Sequence, residues 1–269
     1  MTYIPALAHP VAVFDAGLGS FDLVRRLRAA YPTQDIIYLA DRASFPYGAK
    51  SVPDLLHSVA RACQTLVVHG ASAIVLASNA PSVTVLDELR PRFGIPIFGI
   101  TPPIRAGLDL LGEDSFLAIA GARVMVESTA LRALISAEAG PDAARVVSVA
   151  AEELIGLVES GAFLDKARIR HPLEDFLHAL RTQYPNLAGM TLSSTHLPWL
   201  APALQELAPD LRLFDPADDV VADFAPFVIP GSGRLLTLVT ESPAHPLSEF
   251  NAMTKQLGLN LNPQLIEIP

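Results

Sequence analysis

The sequence predicts an α/β protein built as two pseudo-symmetric, doubly wound lobes whose mainly parallel sheets face a central cleft. Three observations carry this expectation. Short apolar, β-rich runs alternate with helical patterns from end to end, as βα units on a parallel sheet require. Nine such runs fall within 269 residues, which suits two sheets better than one. A weak internal repeat also links the halves: Ala73-Ile-Val-Leu-Ala-Ser78-Asn79 and Gly189-Met-Thr-Leu-Ser-Ser194-Thr195 each run an apolar strand into a Ser-plus-polar turn. Pro81 and Pro198 follow closely, where a helix can begin. Parallel sheets bind ligands at the carboxyl ends of their strands, so two facing halves would place both polar corners around one cleft.

In chain order, strands are expected over Val11 to Asp15, Asp35 to Ala40, Ala73 to Ala77 and Ile95 to Ile100. Phe116 to Ala120, Arg145 to Val149, Gly189 to Ser193, Leu211 to Phe214 and Leu235 to Thr240 follow. The clearest helix is Ser51 to His69: Ser51 caps it with Asp54 three residues later, and Gly70 closes it. Leu55, Leu56, Val59, Ala62, Cys63, Leu66 and Val67 form its apolar stripe. Boundaries near Gly99 to Pro103 and near Pro209 divide the chain into a first lobe of residues 1–100 plus 210–269 and a second of residues 101–209.

Apolar residues make up 51% of the chain and charged residues 17%, with a mean hydropathy of +0.37. Arg123, His69 and scattered prolines break every apolar stretch before it reaches a membrane-spanning length. The expectation is a soluble protein with a large interior and no membrane partner. A net charge of −9 argues against the extended basic surface that nucleic-acid phosphates need, so the partner is a small molecule. Met1 to Pro10 shows neither a basic nor an apolar leader region, which places the chain in the cytoplasm. A single cysteine, Cys63, excludes an internal disulfide, a cysteine metal cage and chemistry that needs two thiols. Its place in the helix stripe reads as a buried hydrophobe rather than a reactive thiol.

Several turns invite a chemical reading. Asp15-Ala16-Gly17-Leu18-Gly19-Ser20 follows a strand and opens a helix, resembling the start of a dinucleotide fingerprint, but Asp22 stands where the third glycine belongs. A carboxylate at Asp15 would also repel a pyrophosphate, although Asp41 could hold a ribose. The same glycines equally suit a tight turn whose N–H groups approach a small carboxylate ligand. Pro46-Tyr47-Gly48 is either an ordinary loop or a binding turn beside the first one. Ser194-Thr195-His196 suggests a nucleophile and its base, yet residues two apart after a strand are expected to point different ways, and no G-x-S-x-G elbow surrounds Ser194. The remaining histidines show no ligand spacing, and no metal site is expected.

Taken together these stations resemble the glutamate racemase family of the aspartate/glutamate racemase superfamily, over nearly the whole chain. Val13-Phe14-Asp15-Ala16-Gly17-Leu18-Gly19 is similar to its V-F-D-S-G-V-G-G turn. Ile36 to Asp41 with Pro46-Tyr47-Gly48 is similar to I-Y-x-x-D…P-Y-G. Ala77-Ser78-Asn79-Ala80 is similar to A-C-N-T, and Leu157-Val158-Glu159-Ser160-Gly161 to L-V-E-x-G. Thr191 to Pro198 is similar to T-L-G-C-T-H-Y-P. The resemblance implies a cofactor-independent reaction in which two cysteines flank the substrate α-carbon, one removing its proton and the other returning one to the opposite face. It assigns the assisting groups to Asp15, Glu159 and His196, and substrate binding to Pro46, Tyr47, Gly48, Asn79 and Thr195. It is compatible with a homodimer.

Both cysteine positions are serine in this chain, Ser78 and Ser194, and two hydroxyl-bearing binding positions are Ala16 and Ala80. A thiol titrates near 8.5, whereas an aliphatic hydroxyl lies roughly four units higher, so forming its anion costs about 5 kcal/mol more. The expectation is therefore a divergent member that binds a small carboxylate or amino acid, with two-thiol racemisation lost. Proton transfer by Asp15, Glu159 or His196 is then altered, as in elimination, decarboxylation or isomerisation, or absent. Two alternatives stand beside it: a glutamate racemase, and a non-catalytic regulatory or interaction protein that keeps the fold.

Overall fold

The structure, a computed structural model, describes residues 7–269. Of the leader-free segment expected over Met1 to Pro10, the first six residues lie outside the described ones. The strands are β1 (Val11–Asp15), β2 (Ile36–Asp41), β3 (Ala73–Leu76), β4 (Ile97–Gly99), β5 (Phe116–Gly121), β6 (Val146–Ala150), β7 (Leu187–Ser193), β8 (Arg212–Phe214), β9 (Leu235–Thr240) and β10 (Gln264–Leu265). The helices of the first half are α1 (Phe21–Ala30), α2 (Val52–Val68), α3 (Asn79–Thr84), α4 (Leu86–Leu89), α5 (Ile104–Asp109) and α6 (Arg123–Val126). Those of the second are α7 (Thr129–Ala139), α8 (Glu152–Glu159), α9 (Lys166–Gln183), α10 (Ala201–Leu207), α11 (Ala217–Phe224) and α12 (Leu247–Gln256).

Two sheets result, a six-stranded one ordered β10-β9-β2-β1-β3-β4 and a four-stranded one ordered β6-β5-β7-β8. Every pairing within them is parallel. The order β2-β1-β3-β4 is repeated as β6-β5-β7-β8, so the repeat seen between Ala73 and Asn79 and between Gly189 and Thr195 occupies equivalent strands, β3 and β7. In each sheet the chain steps one way from the first strand and then back past it, which leaves a crevice at the carboxyl ends of β1 and β3 and of β5 and β7.

The strands are apolar on both faces because helices cover both. Val11 and Val13 point into one core layer while Ala12 and Phe14 point into the other. Helix α2 follows its sequence signals closely: the Ser51 hydroxyl accepts the Asp54 N–H, and Gly70 takes a positive φ of 87° beyond its last turn. Leu55, Val59 and Leu66 are fully buried on its inner face, each contributing roughly 1.5–3 kcal/mol. Cys63 lies in that layer, and burial pushes its thiol up to about 12, which removes it from thiolate chemistry.

Two elements differ from expectation. The strand Arg212–Phe214 pairs with β7 rather than with the first sheet, so the second sheet extends beyond the boundary expected at residue 210. The only strand it pairs with is β7, and the chain turns back at Asp215-Pro216, after the strand and not before it. The two-residue strand β10 was not expected, because Gln264 and Leu265 carry no periodic pattern; β9 supplies its partner groups.

Candidate functional site

Each sheet delivers its polar residues where a strand ends. Asp15 is the last residue of β1, and Ser78 joins β3 to α3. Glu159 ends α8, while Ser194, Thr195 and His196 form the turn after β7. These corners meet across the two lobes around a cavity of about 370 Å³. Asp15, Ala16, Pro46, Tyr47, Gly48, Ser78, Asn79, Ala80, Glu159, Ser194, Thr195 and His196 all line it.

On one wall Asp15 Oδ1 accepts the Ala16 N–H at 2.7 Å and Oδ2 accepts the Thr195 hydroxyl at 2.8 Å, a bond that crosses between the lobes. Burial raises the Asp15 carboxyl, and the charge of His196 with the hydroxyls of Thr195 and Ser78 opposes that rise only in part. On the facing wall a continuous chain runs Ser194–His196–Glu159. Ser194 Oγ lies 3.3 Å from His196 Nδ1, and His196 Nε2 lies 2.6 Å from Glu159 Oε1. Oε1 also accepts the Leu18 N–H at 2.9 Å. Burial alone would raise Glu159, but His196, by hydrogen bond and charge, and then Arg42 bring it down to about 2. Burial alone would lower His196, and Glu159 reverses that, so the imidazole is held above its ordinary value. The wall therefore holds a carboxylate next to an imidazole whose other ring nitrogen meets a serine hydroxyl.

The expected divergence of Ser194 and His196 is overturned. Both residues lie beyond the end of β7 at Ser193, and the turn that follows brings the two side chains to the same side. The first-turn glycines pack against the other lobe. A Cβ at Gly17 would collide with Glu159 Oε1, and one at Gly19 would come within 2.8 Å of Thr195 Oγ1. Their absent side chains let the two lobes close on each other, and the carboxylate that Leu18 N–H meets is the protein's own. Asp41 is likewise committed internally, accepting the Tyr47 hydroxyl at 2.9 Å and the Thr240 hydroxyl at 2.8 Å, which turns the Tyr47 ring against the cavity. Asn79 donates Nδ2 to the Ile100 carbonyl at 3.3 Å, leaving Oδ1 buried and without a protein partner.

Sequence reasoning missed Arg42, which is 1% exposed and donates to Glu159 Oε2 at 3.0 Å. The available signal was a second charge directly after Asp41 at the end of an apolar strand. It also missed Phe45 and Ala122, which lie in loops, and Glu152 and Ile155 of α8, all on the cavity wall. Among the described residues no cluster of His, Cys, Asp and Glu could hold a metal ion. No helix of the described residues is long and apolar enough to cross a membrane.

Residues 22–223 match the family model described as Asp/Glu/Hydantoin racemase. The chain is 33% identical to a glutamate racemase of Deinococcus radiodurans over 252 residues, 90% of this chain and 85% of that one. Among solved structures, Thermus thermophilus glutamate racemase in complex with β-chloro-D-alanine aligns over 96% of this chain and 97% of its own, with 25% identity and a TM-score of 0.75. Escherichia coli glutamate racemase, solved with L-glutamate and the activator UDP-MurNAc-Ala, aligns over 97% of this chain and 100% of its own. Its TM-score is 0.82 at 20% identity, and it shows the shared fold.

Proposed function

Because the chain belongs to the Asp/Glu/Hydantoin racemase family, we propose that its cleft takes glutamate and exchanges the proton on the α-carbon, the activity for which its Deinococcus relative is named. The observation that carries this reading is the pairing of two proton-transfer arms in one cavity, Asp15 with Ser78 on the first lobe and Glu159–His196–Ser194 on the second. An amino acid lying between them has a hydroxyl on each face of its α-carbon. The buried Asn79 Oδ1 is an acceptor suited to its ammonium group. One arm takes the α-proton, and the other returns a proton to the opposite face. Deprotonation leaves the proton with the Asp15 or the His196 side according to the enantiomer bound.

The rate is where serine matters. Ser78 and Ser194 stand at the positions that correspond to the family's two cysteines, and about 5 kcal/mol of extra cost for an alkoxide slows exchange by roughly a thousandfold or more relative to a thiol pair. Divergence from the two-thiol reaction is thus read as a slower version of it. A second reading, binding without turnover, is favoured by the same hydroxyls. The test is incubation with L-glutamate in deuterated water, alongside a thermal-shift titration. Slow α-deuterium incorporation with growth of D-glutamate supports the proposal. A thermal shift without incorporation transfers support to binding without turnover. Neither response removes glutamate and leaves a regulatory or interaction role for the fold.

A further inference from the structure

Arg42 lies just after β2, outside the cavity lining, with its guanidinium 1% exposed. Nη1 bonds Glu159 Oε2 at 3.0 Å, and Nη2 bonds Glu249 Oε2 of α12 at 2.7 Å. Its Nε has no partner. Glu159 therefore sits between two basic groups, Arg42 on one oxygen and His196 on the other. A buried arginine is costly unless it is paired, and one shared between an internal and a half-exposed carboxylate suggests a role beyond packing.

We propose that Arg42 is a positioning residue for the Glu159–His196 arm: it holds the carboxylate ionised with Oε1 turned to the imidazole, and by sharing that carboxylate's charge it keeps His196 able to give up its proton. The inference rests on the reading that this arm transfers protons. A carboxylate serving His196 alone would hold the imidazolium more tightly and leave it a poor acid. The groups facing His196 are Asp15 from the end of β1, Glu159 from α8 and Arg42 from the turn after β2. The Phe45 ring stands 6.3 Å away. Behind Arg42 stand Glu249 and, 3.7 Å from it, His245, whose ring also meets Phe45. Because Glu249 in turn offsets the Arg42 charge, its removal acts in the opposite sense to the removal of Arg42.

The experiment follows the His196 imidazole by nuclear magnetic resonance through a pH titration of the full chain, with His196→Gln assigning the signal. Arg42→Gln is expected to raise the His196 midpoint by about one pH unit, and Arg42→Lys to restore most of it. Glu249→Gln, at a 41% exposed side chain, is expected to lower the midpoint. Midpoints that stay fixed, or that move in the same direction in the Arg42→Gln and Glu249→Gln proteins, overturn the proposal. If Arg42→Gln does not fold, the pair Arg42→Lys and Glu249→Gln decides it: an unmoved midpoint in the latter overturns it. The readout needs no turnover, so a wild-type protein that exchanges no α-proton defeats the proposed function while leaving this measurement intact.

Discussion

Glu159 is a buried carboxylate held by two basic groups and one backbone N–H, and its titration is coupled to folding. Its ordinary value of 4.5 falls to about 2 in the folded chain. A lowered carboxyl stabilises the fold above its unfolded value, and the gain disappears as pH falls toward the folded value. His196 moves the other way: a raised imidazole contributes below about 6.5 and loses its contribution as pH rises through the folded value. The pair is one interaction seen from both partners, and it is complete between about pH 4.5 and 6.5. Urea denaturation should therefore show about 2 kcal/mol of Glu159-dependent stability lost between pH 5.5 and pH 3. Glu159→Gln should remove that increment, and equal pH losses in both proteins would mean the ion pair does not form. Ser78 and Ser194 carry the second residue-scale prediction. The double replacement Ser78→Cys with Ser194→Cys should raise α-proton exchange on glutamate by roughly a thousandfold, measured in deuterated water. No gain would direct attention to the hydroxyls absent at Ala16 and Ala80.

The element that decides how the site closes is the turn between β1 and α1. Gly17 and Gly19 are required by proximity: the carboxylate of Glu159 and the backbone of Thr195 occupy the space that side chains would fill. Gly17→Ala should push Glu159 off His196 and cost roughly 1–3 kcal/mol. The glutamate-induced thermal shift should be lost along with it. Gly94→Ala, where a Cβ meets nothing within 4 Å, is the matched control and should leave both unchanged. The glycine spacing was legible in the chain, but its reason was not. A tight strand-to-helix turn has the same local pattern whether it receives a phosphate, a free carboxylate or a glutamate from 141 residues away.

For the whole molecule, the two sheets repeat one strand order, and the site lies where their crevices oppose each other. The bond between Asp15 and Thr195 and that between Leu18 and Glu159 tie the lobes through the site itself. A ligand that replaces or reinforces those contacts should change the stability of both lobes together. The glutamate titration should accordingly show a single cooperative thermal transition moving as a unit, not one lobe melting alone.

The chain by itself determined the α/β class and nine of its strands, because alternating apolar runs, caps and strand-end polar corners are local patterns, while the resemblance to the racemase family was needed to point to such cleft-lining positions as Glu159 and Ala80. The chain also carries Ser78 and Ser194 within the stretches that resemble the family's two cysteine motifs. Only the tertiary structure decided that Ser194 and His196 meet, that the strand Arg212–Phe214 belongs to the second sheet, and that Arg42 stands behind Glu159. Each of these depends on groups far apart in sequence, or on the path of an irregular turn beyond a strand end. Local periodicity carries no information about which distant charge will neutralise a buried one.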